Sequence, residues 1–94
     1  MILGKVTKQP VDELDYDVDY SAWLGTSGDV LASCAVTVAP TGSLEIATTI
    51  VQPTMLKFWL SGGTAGTSYK LTINATTNGG RIKQDEVRVA VKDF

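Results

Sequence analysis

Hydrophobic and polar residues alternate with a period of two along most of this chain. In residues 15–20 the even positions are tyrosine or valine and the odd positions are aspartate. Because successive side chains of a strand point to opposite faces of a sheet, this alternation predicts strands with one buried face. Comparable segments occur at residues 30–39, 44–51, 55–60, 69–75 and 84–91, and a short first segment around Val6 ends at Pro10.

About seven strands therefore account for the sequence, with turn-forming residues every eight to twelve positions. This spacing is typical of a β-sandwich, and 94 residues correspond to a single domain spanning residues 1–94. Helix-favouring segments are nearly absent, which leaves no room for the crossover helices of a parallel α/β sheet. We predict an all-β fold, an Ig-like or fibronectin type III-like antiparallel sandwich, with a small barrel such as an OB-fold as the alternative.

One aromatic residue supports the sandwich prediction. Tyr69 begins the next-to-last strand, directly after the glycine-rich run at residues 62–66. In Ig-like domains a tyrosine at such a corner bonds back to the backbone a few residues upstream. We expect the same contact here, and we expect Trp23, on an early strand, to be the core aromatic residue.

The composition argues against a catalytic site. The chain has no histidine, which is the commonest general base and metal ligand. Its single cysteine, Cys34, has no basic neighbour in the sequence to lower its pKa, so we expect a buried structural thiol. Asp85 and Glu86 are adjacent on a predicted strand and point to opposite faces, so they cannot act together as acid and base. We predict a protein that is not an enzyme and uses no cofactor.

Charge is unevenly distributed along the chain. The net charge is −2, with −4 on residues 1–29 and +2 on residues 30–94. This balance gives no electrostatic footprint for nucleic acid, and no apolar stretch is long enough to span a membrane. Between Val30 and Leu56 the only charged residue is Glu45, which lowers the desolvation cost of covering that segment with a partner. Residues 1–10 lack the apolar core of an export signal, so we expect either no export or a signal removed earlier.

Two motifs have the composition of ligand sites but not the spacing. Asp15, Asp17 and Asp19 resemble the opening of a calcium loop, yet the sixth and twelfth positions are Tyr20 and Thr26 rather than glycine and glutamate. We interpret the aspartates as an exposed acidic strand face that discourages edge-to-edge pairing, with a looser calcium site as the alternative. The glycine-rich run lacks the spacing of a phosphate-binding loop and is interpreted as a turn, so we assign no metal ligand.

A protein-binding face is the strongest site hypothesis. If the even positions of residues 56–60 fill the core, Trp59 points to solvent beside Met55 and Lys57. An outward tryptophan is a common hot spot of protein interfaces. In the alternative the alternation slips by one residue, Trp59 is buried and Phe58 is outside. The candidate interface residues are Trp59, Lys57, Met55, Asp15, Asp17 and Asp19.

Three segments together resemble a known family. They are residues 14–24 (LDYDVDYSAWL), residues 58–69 (FWLSGGTAGTSY) and residues 76–81 (TTNGGR). They are similar to motifs of small proteins encoded among the head and tail genes of tailed phages and prophages, often described as phage fibre proteins. This chain has Tyr20 where that family usually has tryptophan. The resemblance implies an Ig-like β fold and a role in the virion or its assembly, and it supplies no catalytic residue.

The leading hypothesis is a non-enzymatic structural or assembly protein of a bacteriophage or prophage, as a head, connector or tail component. It would bind other phage structural proteins, and copies of itself, through protein–protein contacts without nucleic acid or membrane. Its place would be the virion, or the host cytoplasm during assembly. The alternative is a carbohydrate-binding module for host-surface adhesion, in which outward aromatic residues such as Trp59 and Tyr16 would stack on sugars.

Overall fold

Seven strands and one helical turn make up the computed structural model, which describes residues 2–93. Each strand corresponds to one of the segments expected from the alternation of hydrophobic and polar residues. The strands are β1 (Ile2–Lys8), β2 (Leu14–Asp19), β3 (Leu31–Ala39), β4 (Glu45–Val51), β5 (Met55–Ser61), β6 (Ser68–Thr77) and β7 (Ile82–Val91), and the helical turn α1 (Ser21–Leu24) follows β2.

The strands form two sheets that pack against each other. Sheet A has the strand order β1-β7-β6-β3, and sheet B has the order β2-β5-β4. In sheet A, β6 is antiparallel to both β7 and β3, and in sheet B, β5 is antiparallel to both β2 and β4. The prediction of an all-β sandwich of about seven strands is confirmed, while the finer Ig-like assignment stays a prediction.

The pairing of β1 differs from the other ladders, because β1 runs parallel to β7 rather than antiparallel. Lys5 lies opposite Arg88 and Val6 lies opposite Val89. The chain leaves β1 for the other sheet, so no hairpin turn joins β1 to β7. A hairpin would force the two strands to run antiparallel, and this ladder has none. The parallel direction of β1 therefore could not be predicted from turn residues in the sequence.

The core lies between the two sheets and is filled by the inward positions of the alternating strands. Leu56, Phe58 and Leu60 of β5 are at most 1 % exposed. They face Leu71 and Ile73 of β6, which are completely buried. The predicted orientation of residues 56–60 is thereby confirmed, and the slipped alternative with Phe58 outside is wrong.

Two charged side chains are buried with the core. Lys8 ends β1, and its ammonium group donates hydrogen bonds to the carbonyls of Gln9, at 2.8 Å, and Gly62. Asp85 of β7 accepts a hydrogen bond from the Lys83 ammonium group at 2.9 Å. Buried charges require partners of this kind, because desolvation otherwise makes them strongly unfavourable.

The corner between β5 and β6 has the contact expected of Tyr69. The buried Tyr69 ring places its phenol oxygen 3.0 Å from the backbone nitrogen of Thr64, which donates a hydrogen bond to it. The Thr64 hydroxyl is also 3.1 Å from the hydroxyl of Ser43. Tyr69 therefore bonds back to the backbone five residues upstream, as predicted.

The helical turn α1 was not indicated by the sequence. It is four residues long, and the Asp19 carboxylate accepts a hydrogen bond from the Ser21 amide at 2.8 Å where it begins. Trp23 lies on this turn and not on a strand, and it is half-buried, so the expectation of a core aromatic on an early strand is wrong. No helix of the described chain is long and apolar enough to cross a membrane.

Asp29 connects the loop before β3 to the β6–β7 hairpin. Its carboxylate accepts hydrogen bonds from the backbone amides of Val30 and Gly79 and from the Arg81 guanidinium, at 2.9 to 3.2 Å. The guanidinium in turn lies 4.7 Å from the centre of the Trp23 ring. The cluster holds two loops and α1 together at one end of the sandwich.

Asp29→Asn is expected to reduce stability in a pH-dependent way. Hydrogen bonds from the Thr77 hydroxyl, the Gly79 amide, Arg81 and the Val30 amide hold the pKa of Asp29 below its usual value. The carboxylate therefore stabilises the fold above the unfolded pKa of about 3.9, and this contribution is lost as the pH falls through the lower folded pKa.

Thermal unfolding of wild type and Asp29→Asn from pH 7 to pH 2 tests this expectation. The gap in melting temperature should be constant at neutral pH and should shrink in acid. Asp93→Asn, at an exposed position, serves as the control and should behave like wild type throughout. A gap that persists unchanged at pH 2 would contradict the role of the charge.

Cys34 is half-buried on β3 and not fully buried as expected. It points inward and packs against the core, but β3 is the last strand of sheet A, so on one side it has no neighbouring strand within residues 2–93. Burial raises the pKa of the Cys34 thiol. The thiol is accordingly less ionised than an ordinary cysteine, which fits a structural side chain.

Candidate functional site

The outer face of sheet B brings together all six candidate interface residues. Trp59 lies on the central strand β5 and is 38 % exposed, with Met55 and Lys57 half-buried on the same strand. On the neighbouring β2, Asp15 lies opposite Trp59. Asp17 and Asp19 lie opposite Lys57 and Met55 in the same register.

On this face the Lys57 ammonium group lies beside the three aspartates of β2, and Glu45 adds a further carboxylate on β4, opposite Ser61. The Lys57 nitrogen is 3.3 Å from an Asp15 oxygen and 3.9 Å from an Asp17 oxygen. All three side chains are between one-third and one-half exposed, so these ion pairs contribute at most about 1 kcal/mol to stability. Hydrogen bonds from Ser21 hold the pKa of Asp19 below its usual value. The face is therefore negatively charged along its β2 edge at neutral pH.

The three aspartates do not converge on one point. They occupy alternate positions of a single strand, so Asp15 and Asp19 are about 13 Å apart along it. Ligands of one calcium ion lie only about 2.4 Å from it, so Asp15 and Asp19 cannot share an ion. No group of three histidine, cysteine, aspartate or glutamate side chains within residues 2–93 could hold a metal ion.

Ile50 is a member of this face that the sequence analysis missed. It lies on β4 opposite Lys57 and is 43 % exposed. The register of β4 shifts between Ile46 and Thr48. After the shift, each side chain faces the side of the sheet opposite to the one that strict alternation from Glu45 would give. A shallow recess of about 210 Å³ lies beside Trp59, between Thr48 and Glu13. Met55, Trp59 and Ile50 thus form an apolar patch with an acidic border.

Tyr16 is not part of this face. It points inward from β2, and its ring centre is 5.9 Å from that of Phe58. The expectation that Tyr16 stands outward with Trp59 is wrong. Trp59 is the only aromatic side chain among residues 3–93 that is exposed by more than about a third.

The outer face of sheet A has the opposite charge. Lys5, Arg88 and Lys70 lie side by side on three neighbouring strands, because Arg88 is in register with both lysines. Glu86 is the acidic neighbour, 3.8 Å from Lys70 and 3.4 Å from Arg88. The two outer faces of the sandwich are therefore complementary in charge.

Comparison with solved structures shows a similar fold in an unrelated context. Residues covering 98 % of this chain superpose, with a TM-score of 0.59 and 13 % identity, on a 2,6-sialyltransferase from the Vibrionaceae bacterium Photobacterium sp. JT-ISH-224, crystallised with CMP and lactose. The chain spans only 17 % of the length of that enzyme. At this identity the likeness concerns the fold alone. No curated protein matches the chain.

A family comparison gives the identification. The model of the family described as podophage GP4 fiber-tail adaptor protein gp77 matches residues 8–90, which include β2 to β7 almost completely. This match agrees with the phage motifs in the sequence and covers every candidate interface residue. The chain therefore belongs to the podophage GP4 fiber-tail adaptor protein gp77 family and is a structural protein of a bacteriophage.

Proposed function

We propose that this chain is a non-enzymatic adaptor that joins a tail fibre to the phage tail and that the outer face of sheet B binds one of these two partners. The observation that carries the proposal is the exposed Trp59 on the central strand of sheet B, within a chain of the fiber-tail adaptor family. The protein would be located in the virion, and it would be assembled into the virion in the host cytoplasm.

The apolar patch would supply the binding energy. Tryptophan is among the residues that most often dominate interface energetics, especially when polar neighbours exclude water around it. Ile50 and Met55 extend the apolar area on both sides of Lys57, and the β2 aspartates form a polar border. The acidic border favours a partner surface with basic residues, because complementary charge increases the association rate and rejects wrong partners.

Copies of the chain are a second kind of partner that the charges support. The basic row of sheet A and the acidic edge of sheet B lie on opposite outer faces, so copies would associate head to tail. A carbohydrate-binding role has less support, because Tyr16 points inward and, among the described residues, Trp59 has no aromatic neighbour with which to form a sugar-stacking platform.

Trp59→Ala is expected to weaken binding of the partner at least tenfold, because it removes the centre of the apolar patch. Affinities would be measured against purified tail and fibre proteins of the same phage by calorimetry. Ile82→Ala is the matched control, because Ile82 is 72 % exposed and belongs to sheet A. Equal affinities of wild type and Trp59→Ala for every partner, or purified virions without the protein, would refute the proposal.

A further inference from the structure

A groove opens between the two sheets along the side where β1 and β2 are the outermost strands. It has a volume of about 310 Å³. Phe58 of β5 and Val87 of β7 form its floor, and Val6 and Tyr16 form its walls. Phe58 and Val87 belong to the second strand of each sheet, so the groove lies over the seam between the two sheets.

Gly4 creates part of this space. It faces inward on β1, directly opposite Val87, at a position where the next inward residue of the same strand is Val6. A methyl group added at Gly4 would meet no atom within 4 Å. The backbone there is not in the left-handed region that favours glycine, so a larger residue would fit without strain. The groove therefore has room for an apolar side chain that β1 itself does not supply.

The edge of β2 beside the groove can accept another strand. β5 is the only strand paired with β2 among the described residues. Backbone groups on its other side are open to pairing with an extended peptide, which is a recurring mode of recognition. In such a pairing, alternate side chains of the added strand enter the groove and the others lie beside the β2 aspartates.

The aspartates determine which strand can be added. If two copies paired through β2, Asp15, Asp17 and Asp19 of each copy would lie beside those of the other on the same outer face. Like charges in neighbouring strands are destabilising, so the edge disfavours its own copy. A strand with basic residues at alternate positions would instead place cations beside these carboxylates.

We propose that the groove binds an extended segment of another tail or fibre protein, added as a fourth strand of sheet B at the free edge of β2. The segment alternates apolar residues, one of which fills the space over Gly4, with basic residues beside Asp15, Asp17 and Asp19. That the segment comes from a tail or fibre protein rests on the proposed adaptor function. The chemistry of the site does not. The site shares the β2 aspartates with the border of the Trp59 patch, but its apolar part is lined by Val6, Tyr16 and Phe58.

A nine-residue peptide of alternating lysine and valine, blocked at both ends, provides a direct test. We expect it to bind wild type in fluorescence polarisation and to protect the β2 backbone amides in hydrogen exchange. Gly4→Val and the triple variant D15N/D17N/D19N should each weaken binding at least tenfold, and Ile82→Ala, at an exposed position of sheet A, should leave it unchanged. A peptide with glutamate in place of lysine should not bind.

Methylating the peptide backbone tests strand addition without changing the protein. Only alternate N–H groups of an added strand face β2, so a version N-methylated at the lysines and one N-methylated at the valines should differ. We expect one of the two to lose at least tenfold in affinity. The same affinity for both versions and the parent peptide would overturn the proposal, as would unchanged binding to a folded Gly4→Val variant.

Light scattering tests whether a second copy of this chain, and not a segment of another protein, occupies the groove. A dimer of wild type that Gly4→Val abolishes would mean that a second copy fills the groove, which overturns the proposal. Failure of the adaptor function has a different signature. In that case the tail and fibre proteins would not bind at all, while the lysine–valine peptide would still bind wild type and not Gly4→Val.

Discussion

Gly62→Ala is expected to lower the free energy of unfolding by about 3 to 5 kcal/mol, a large part of the stability of a small domain. Gly62 has φ +72, which costs any other residue conformational energy. A methyl group at this position would also lie 2.3 Å from the Ser43 carbonyl oxygen. Because that neighbour is backbone, the β3–β4 loop and the β5–β6 loop would have to move apart. The Gly62 carbonyl also accepts a hydrogen bond from buried Lys8, which this movement would disturb.

Gly66→Ala is the matched control for this prediction. Gly66 lies in the same loop with φ +85, but nothing lies within 4 Å of an added methyl group. Its expected cost is therefore the backbone strain alone, about 1 to 2 kcal/mol. Urea unfolding at 25 °C would measure both variants. Equal losses for the two would show that the close approach to Ser43 contributes nothing.

Lys83→Met is expected to lower stability by about 3 to 5 kcal/mol. The substitution retains most of the side-chain volume but removes the ammonium group 2.9 Å from the completely buried Asp85 carboxylate. A buried carboxylate that loses its cation retains its desolvation cost without the compensating attraction. By contrast, Arg88→Met, which removes a half-exposed partner of Glu86, should cost less than about 1 kcal/mol.

The double variant Lys83→Met with Asp85→Leu provides the discriminating measurement. Replacing both members of a buried ion pair with apolar residues is often nearly neutral. The double variant should therefore recover most of the stability that Lys83→Met loses, again in urea unfolding. If the double variant loses as much stability as Lys83→Met and Asp85→Leu lose in sum, side-chain packing and not the charge pair determines the loss.

The two-residue alternation was sufficient to predict the strands, and it also indicates two buried charged residues. The valines at positions 87, 89 and 91 face inward, and the same two-residue alternation places Asp85 inward. Parity from Val6 likewise places Lys8 inward. Charged residues are rarely buried unless they are paired, so the sequence alone favours an exposed position for both. The contacts that pair them are those of Asp85 with Lys83 and of Lys8 with the Gly62 carbonyl, and these are visible only in the folded chain.

The candidate site was predictable only where the alternation is regular. Along β2 and β5 the orientation of each side chain followed from the sequence, so Trp59 and the aspartates were placed correctly. On β4 the shift after Ile46 reverses the parity, and no glycine or proline marks it, so Ile50 was missed. The groove at Gly4 could not be predicted, because it depends on which strands are outermost in the two sheets.

The parallel ladder between β1 and β7 also determines how the domain responds to tension. Ile2 pairs near Glu86 and Lys8 pairs with Val91, so the chain enters at one end of this ladder and leaves at the other. A pull on the two ends of the chain therefore loads the ladder hydrogen bonds together, in shear. Had β1 been antiparallel, both ends would meet at one side and the same force would unzip the bonds one after another. The parallel ladder should therefore resist a pull on β1 and β7 more strongly than an antiparallel ladder of the same length.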